Sequence, residues 1–297
     1  METLKFIIST SLQNRFFDKF LCKHDIEIFN IINNMIETDE MDNIKIIDCD
    51  CHTLISHCAA NGYLDCIKYL HMRSLAEGKQ SLTEGKNECS WDEWACTFAA
   101  LGHLDCLVYL HENGCLWDEE TCVSATEGHL DCLKYLHEND CPWDEDACES
   151  ASAGHLDCLK YLHENDCPWD EEAYVSAAQG HLDCLVYLHE NGCPWNERAC
   201  ENAAQGHLDC LVYLHENDYP WSVAVCKNAA EGHLECLKYL HDNGCPWSAA
   251  ACENAAEGHL ECLKYLHDNG CPWNERACKN AAQNYPECLV YIKANLE

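Results

Sequence analysis

Residues 154–179 read GHLDCLKYLHENDCPWDEEAYVSAAQ, and this 26-residue repeat decides the fold. Its opening motif, Gly-His-Leu-Asp/Glu-Cys-Leu, recurs at a constant step of 26 residues, starting at Gly102, Gly128, Gly154, Gly180, Gly206, Gly232 and Gly258. A variant starts at Gly62, 40 residues before Gly102, so that 14 residues are inserted near 73–86, and a last variant covers 284–297. Self-similarity at one period is typical of solenoids, in which each repeat packs on its neighbours.

The first half of the repeat predicts a long helix. Residues 156–164 carry one polar stripe, at Asp157, Lys160 and Glu164, whose members are spaced three and four residues apart. This spacing indicates an amphipathic helix that is mostly buried. The following Asn-Asp or Asn-Gly pair indicates a left-handed helix stop, and Pro168 prevents the helix from continuing.

The second half of the repeat predicts a shorter helix. Asp170 belongs to a column that holds only Asp, Asn or Ser, the residues that cap helix N-termini. Trp169 precedes this cap at the spacing of a hydrophobic staple. The helix should end at the next glycine, Gly180, because glycine suits the residue that follows a helix.

A single helix pair cannot bury its own apolar face, so the repeats must stack. We therefore predict an all-α solenoid of about ten stacked antiparallel helix pairs. Residues 1–50 are interpreted as a degenerate N-terminal capping unit, 51–297 as the solenoid, and 284–297 as its C-terminal cap.

Residues 177–192, AAQGHLDCLVYLHENG, resemble the Ala-Ala-x-x-Gly-His-x-x-x-Val-x-x-Leu-Leu-x-x-Gly core of ankyrin repeats. The Thr-Pro-Leu-His start is missing and the repeat is shorter than the usual 33 residues, so β-hairpin fingers should be shortened or absent. Short Cys-Pro-Trp-Asp repeats look like the ankyrin-like arrays of large DNA viruses of amoebae and some protists. The resemblance implies a cytoplasmic protein, in the host cytoplasm if viral, that binds protein without catalysis. An F-box-like helix is also conceivable in residues 1–50, which lack the Leu-Pro signature.

The charge balance restricts the partners. Fifty-two acidic against eighteen basic residues give a formal net charge of −34. Such a charge repels phosphate backbones and anionic lipids, so nucleic acid and membranes are expected to be excluded. We expect a monomer that binds a protein partner with a basic segment.

Cysteine is the residue type that suggests metal or redox chemistry. Counted from the glycine as position 1, 23 of the 27 cysteines fall at positions 5, 14 and 21, and no Cys-x-x-Cys pair occurs. A pair of positions 14 and 21 within one repeat would leave Cys167 facing Tyr174 and Tyr219 facing Cys226. We interpret the columns as small apolar core residues and predict no metal and no cofactor. The alternative is a thiol-rich metal-binding or redox-buffering repeat protein.

Histidine recurs at positions 2 and 10, once in nearly every repeat. An active site occurs once in a fold, so such columns indicate a structural role. The sequence offers no lone nucleophile with its base, and we predict that the protein is not an enzyme.

The second helix has one varying face. Positions 20, 21, 24 and 25 are small or apolar, whereas positions 19, 22, 23 and 26 change between repeats and share one side of the helix. A varying stripe is where repeat proteins encode specificity, here expected on the concave face. The predicted partner-binding residues are Trp94, Phe98, Leu101, Glu120, Glu127, Asp146, Glu149, Glu172, Arg198, Glu201, Lys227, Arg276 and Lys279.

This stripe has a direction along the chain. It begins apolar at Trp94 and Phe98, is acidic without a base from Glu120 to Glu172, and mixes charges from Arg198 onward. Packing against the insertion or the N-terminal cap is an equally good explanation for the two aromatic residues. A solvated face is the simpler explanation of the overall acidic excess.

Overall fold

The computed structural model describes residues 51–76, 91, 94–272 and 274–295. The predicted capping unit at 1–50 and the insertion beyond residue 76 lie outside the described residues. The chain divides into two compact units, an N-terminal unit of Met1–Ala99 and Asp105–Leu116 and a C-terminal unit of Ala100–Leu104 and Trp117–Glu297.

Two helix pairs are described in the N-terminal part of the chain. They are α1 (Cys51–Ala60) with α2 (Leu64–Ala76), and α3 (Ala95–Ala99) with α4 (Leu104–Glu112). Within this unit α1 packs on both α2 and α3, and Ile55, Cys58 and Ile67 are completely buried between them.

Seven further pairs follow in the C-terminal unit, and in all but the last the first helix is the shorter one. They are α5 (Glu119–Thr126), α6 (Leu130–Glu138), α7 (Glu145–Ser152), α8 (Leu156–Glu164), α9 (Glu171–Ala177), α10 (Leu182–Glu190), α11 (Arg198–Ala203), α12 (Leu208–Glu216), α13 (Val223–Ala229), α14 (Leu234–Asp242), α15 (Ala249–Ala255), α16 (Leu260–Asp268), α17 (Glu275–Asn284) and α18 (Pro286–Ala294). The described residues hold no β-strand. The predicted all-α repeat solenoid is confirmed, and the tenth pair that was predicted in 1–50 lies outside the described residues.

The helix ends follow the predicted signals. Asp144 and Asp170 are extended and accept hydrogen bonds from the backbone N–H groups of Asp146 and Glu172, in the first turns of α7 and α9. Asp166 ends the long helix α8 with φ 60°. Aspartate tolerates this left-handed conformation better than most residues, which explains why this position of the repeat holds either Asp or Gly.

The uniform columns form the core. In the Gly154 repeat, Cys158, Leu159 and Leu162 of the long helix and Ala173 and Ala177 of the short helix have at most 1% of their surface exposed. Each fully buried leucine contributes about 2 kcal/mol. The prediction that positions 20, 21, 24 and 25 of the short helix are packed is therefore confirmed for this repeat, whereas the long helix is less buried than predicted, because only three of its nine residues are buried.

The glycine at position 1 is required by the neighbouring repeat. Gly154 has φ +114°, and a Cβ built on it would lie 2.7 Å from Nδ1 of His181, the position-2 histidine of the next repeat. Gly192, at the end of the long helix, would meet nothing within 4 Å. The position-2 histidines therefore fill the seam between repeats, as predicted.

No helix in the described segments is both long enough and apolar enough to cross a bilayer.

Candidate binding surface

The varying positions lie on the outer side of the short helices. In α7, Ala147, Cys148, Ala151 and Ser152 are buried, whereas positions 19, 22, 23 and 26 of the same helix are half-exposed or exposed. All thirteen residues of the predicted stripe keep accessible surface. Exposed are Glu120, Glu127, Asp146, Arg198, Lys227, Arg276 and Lys279, and half-exposed are Trp94, Phe98, Leu101, Glu149, Glu172 and Glu201.

The stripe divides between the two compact units. Trp94 and Phe98 belong to the N-terminal unit, where their ring centroids are 6.4 Å apart. Leu101 and the charged members belong to the C-terminal unit.

In the C-terminal unit the short helices contact one another along more of their length than the long helices do. Side chains on successive short helices therefore reach each other, as the ion pair between Arg198 on α11 and Glu172 on α9 shows. The face formed by the short helices is the more closely spaced side of the stack.

Glu120, Glu127, Asp146, Glu149 and Glu172 form the acidic stretch on α5, α7 and α9 and the turn after α5. Among the described residues, no Lys or Arg side chain comes within 4.0 Å of the carboxylates of the first four. Since these groups share one exposed face, their negative charge is not compensated by the protein.

Glu149 lies at the centre of this charge. Burial raises the pKa of its carboxyl group, and the nearby charges of Glu172, Asp146 and Asp170 raise it further, while a hydrogen bond with Ser176 lowers it. Repulsion between carboxylates thus disfavours the ionised form. A cation bound here would relieve this repulsion.

The acidic stretch is shorter than the sequence indicates. Glu172 is paired with Arg198, one full repeat further along the chain, so the uncompensated part ends at Glu149. The sequence places Arg198 in the next repeat, and only stacking brings the two side chains together.

The second part of the stripe, on α11, α13, α15 and α17, is the mixed stretch, and an asparagine ladder crosses it. Each position-23 asparagine donates from Nδ2 to the backbone oxygen of position 22 in the preceding repeat, at 3.2–3.4 Å. The donors are Asn202, Asn228, Asn254 and Asn280, and the acceptors are Val175, Glu201, Lys227 and Glu253. The acidic stretch has serine at this position.

Carboxylates of the mixed stretch have partners within the protein. Asn254 also donates to Glu231 Oε1 at 2.6 Å, and Asn280 to Glu257 Oε1 at 2.9 Å. Arg276 Nε lies 3.4 Å from Glu253 Oε2. The carboxylates of the mixed stretch are therefore largely bonded to other side chains of the protein, although Lys227 and Lys279 are exposed.

A second ladder, which the sequence analysis did not find, runs along the long helices. His163 Nδ1 and Tyr187 Oη are 2.9 Å apart, and the Trp169 ring stacks on His163 at 4.0 Å between centroids. The same histidine–tyrosine bond recurs from His137–Tyr161 to His267–Tyr291. It accounts for the position-10 histidines and shows that tryptophan packs on histidine at the repeat seam.

The thiols of all three columns are buried where they are described. Burial raises the pKa of Cys132, Cys184 and Cys210 at position 5 to about 11, so these thiols stay protonated at neutral pH. Within the described part of the chain, no three His, Cys, Asp or Glu side chains converge as metal ligands would.

No protein-family model matches the sequence, and no curated protein matches it. The fold is similar to the crystal structure of the pentatricopeptide repeat protein PPR10 from maize, with 13% identity and a TM-score of 0.40 over 93% of this chain and 46% of that chain. PPR10 in complex with an 18-nt psaJ RNA element matches with 14% identity and a TM-score of 0.42 over 82% of this chain and 46% of that chain. The chain thus spans about half the length of these structures, and the likeness concerns the helical repeat fold alone.

The exclusion of nucleic acid as a partner is wrong. The expectation rested on net charge alone, and PPR10, to which the fold is similar, is crystallised in complex with an RNA element. The physical reason is that net charge sums over the whole surface, whereas binding depends on the local charge, and Arg198, Lys227 and Lys279 are exposed here.

Proposed function

We propose that the protein is a non-enzymatic adaptor of the ankyrin-like type that binds a basic segment of a protein partner on its short-helix face. The site consists of Glu120, Glu127, Asp146 and Glu149. One observation carries the proposal: these four carboxylates share an exposed face and have no cationic partner among the described residues.

The electrostatics of Glu149 support a cationic occupant. Its pKa is raised by burial and by neighbouring carboxylates, so the free surface carries unfavourable repulsion. Lysine or arginine side chains placed among Asp146, Glu149 and Glu127 would remove that repulsion and add attraction. Association should therefore be fast at low salt and slower as salt is raised.

The adaptor role is also favoured over catalysis by the repetition of the chemistry. Histidine and cysteine occupy equivalent packing positions in successive repeats, where His163 bonds Tyr187 and Cys158 is 1% exposed. Free, buried thiols favour a reducing compartment, and we propose the cytoplasm.

A binding titration with matched charge variants tests this function. The probe is a fluorescein-labelled peptide in which Lys and Arg alternate with Gly and Ser, followed by fluorescence anisotropy at low and physiological salt. Glu120→Lys/Asp146→Lys/Glu149→Lys should weaken binding about tenfold or more, since each exposed pair contributes about 0.2–1 kcal/mol. The control, Asp131→Lys/Asp157→Lys/Asp183→Lys on the long helices, has the same net charge and should bind within about twofold of the unchanged chain.

Two outcomes would overturn the proposal. The first is equal loss of peptide binding in both triple variants, which would indicate attraction to net charge alone. The second is binding of a single-stranded RNA probe in place of the peptide, with affinity that survives the short-helix substitutions.

A further inference from the structure

The thiols of position 21 and of position 14 in the next repeat lie side by side. Cys226 and Cys245 are both buried, and their Sγ atoms are 2.9 Å apart. Cys122 with Cys141, Cys148 with Cys167, and Cys252 with Cys271 are neighbouring buried thiols at the same spacing along the chain, and within each pair one thiol shifts the pKa of the other. The pairs therefore cross from one repeat to the next, in agreement with the argument from Tyr174 and Tyr219 against pairing within a repeat.

Two tyrosines interrupt this row of pairs. Tyr174 replaces the thiol next to Cys193, and Tyr219 replaces the thiol next to Cys200. The two tyrosines instead share a hydrogen bond of 2.7 Å between their hydroxyl oxygens, across two repeats. Cys193 and Cys200 are thus equally buried but lack the thiol partner that the other pairs have.

We propose that the four thiol pairs are redox sites that form disulfides, each of which ties the short helix of one repeat to the turn that ends the next long helix. An S–S bond is about 2.05 Å long, so Cys226 and Cys245 need to approach by about 0.9 Å. Rotation about the side-chain bonds supplies such a movement without moving the helices apart.

The reaction requires a peroxide as oxidant. The Cys245 thiolate attacks one peroxide oxygen, the O–O bond breaks and hydroxide leaves, which gives a sulfenic acid. The Cys226 sulfur then attacks the sulfur of the sulfenic acid, the S–S bond forms, the S–O bond breaks and water leaves. In total, two thiols and one hydrogen peroxide give one disulfide and two waters.

The two halves of the row differ in reactivity. The hydrogen bond within each C-terminal pair lowers the pKa of one thiol, Cys245 or Cys271, and raises the pKa of its partner, Cys226 or Cys252. The pKa of Cys141 is instead raised, by its hydrogen bond with Cys122, by burial, and by nearby carboxylates that include Asp118. Since the attacking species is the thiolate, the pairs Cys226–Cys245 and Cys252–Cys271 should oxidise first.

The charge at the caps of the short helices also differs between the two halves. The thiol of Cys141 donates to the backbone oxygen of Asp118, the residue that caps α5, whereas the thiol of Cys245 faces the backbone oxygen of Ser222, the cap of α13. A charged cap disfavours a neighbouring thiolate and a neutral serine does not. The cap column thus tunes the thiols of the following repeat.

Peptide mapping of the full-length chain tests the proposal. The native protein is exposed to hydrogen peroxide, free thiols are alkylated after denaturation, and disulfide-linked peptides are identified by mass spectrometry. Linked peptides should contain Cys226 with Cys245 and Cys252 with Cys271 first, and the two N-terminal pairs later. Cys193 and Cys200 are internal controls and should remain unlinked, and a reductant should reverse every link.

Variants complete the test. Cys245→Ala should abolish the link at Cys226 and leave Cys252–Cys271 unaffected. Tyr219→Cys places a thiol next to Cys200 and should create a fifth link there. If Cys226 and Cys245 stay unlinked to the same extent as Cys193 and Cys200 in the folded chain, or link only after denaturation, the proposal is wrong whatever the variants do.

Discussion

The acidic stretch and the mixed stretch occupy equivalent faces of the same stack, yet their charges have different fates. On α11 to α17, asparagine and arginine side chains engage the carboxylates, as Arg276 does with Glu253 and Asn280 does with Glu257. On α5 and α7 serine replaces asparagine, and the carboxylates of Glu120 and Asp146 lack a cationic partner in the described part of the protein. The columns beneath are buried in both stretches, although Thr126 and Ser152 stand where the mixed stretch has alanine.

This comparison distinguishes the buried residues that hold the stack together from the exposed residues that vary between repeats. Buried Ala, Cys and Leu columns keep every repeat in one geometry, so that the four exposed positions vary without disturbing the stack. The paired carboxylates of the mixed stretch contribute to stability. The carboxylates of the acidic stretch that lack a cationic partner within the described residues remain available to bind a partner. The following substitutions test the two sides of that separation.

The largest effect is expected at the position-1 glycines, which should behave alike in both stretches. Gly128→Ala and Gly232→Ala each combine a φ near +100° or above with a Cβ within 2.9 Å of the next histidine. Each should lower the free energy of unfolding by about 2–5 kcal/mol, as measured by urea denaturation. Gly192→Ala, which meets nothing within 4 Å, should cost only about 1–2 kcal/mol. Equal costs at all three positions would contradict the packing role of the seam.

The junction between the two stretches depends on the bond between Tyr174 and Tyr219. Tyr219→Phe should cost about 1–3 kcal/mol in denaturation, because it leaves the fully buried Tyr174 hydroxyl without its 2.7 Å partner. The double variant Tyr174→Phe/Tyr219→Phe should cost less than the single one, since no buried hydroxyl is then unsatisfied. A double variant that is the sum of its singles would show that the bond contributes nothing.

Exchanging the position-23 residues should make the two stretches more alike in stability and in peptide binding. Asn228→Ser removes the bond to Glu201 and should cost about 0.5–1.5 kcal/mol. Ser150→Asn places an amide 27 residues after Val123 and 23 after Glu127, the spacings that Asn254 uses. It should stabilise the fold and weaken binding of the basic peptide, and Ser150→Ala is its control. Tighter binding by Ser150→Asn would be incompatible with free carboxylates as the binding groups.

Much of the fold was predictable because its signals are local and repeat at one period. Capping by Asp170 and the left-handed stop at Asp166 each depend on a few neighbouring residues, and both are confirmed. Contacts between repeats were not predictable, because they depend on the stacking register. The pairs His163–Tyr187 and Cys226–Cys245 join residues 24 and 19 apart, and their residue types alone do not specify a partner.

The tryptophan column shows the same limit. A hydrophobic staple explains Trp143 from sequence spacing alone, but its ring is half-exposed and stacks on His137 at 4.2 Å between centroids. Trp195 is 41% exposed because its neighbour Tyr219 replaces the usual cysteine and takes the edge-on contact at 4.3 Å. That the stripe residues bind a partner stays a prediction, because it rests on which surface columns vary along the chain.

A smaller effect is expected from pH. The pKa of Glu149 is raised in the folded state. The neutral carboxyl group therefore contributes stability that is fully present below the unfolded pKa. This stability is lost as pH rises through the folded pKa and the group ionises. Acidification from neutral pH to about pH 5 should therefore stabilise the unchanged chain relative to Glu149→Gln, measured as the difference in melting temperature. A difference that is the same at both pH values would contradict carboxylate repulsion at this residue.

The most direct measurement is the pKa of Glu149 itself, followed by carbon-detected NMR with and without the basic peptide. In the free protein the pKa should lie above the ordinary glutamate value, because burial and Glu172, Asp146 and Asp170 disfavour the charged form. Saturating peptide should lower it, since lysine or arginine then lies beside the carboxylate. An ordinary or depressed pKa in the free protein, or a raised pKa that the bound peptide leaves unchanged, would contradict the assignment of the acidic stretch as the binding surface.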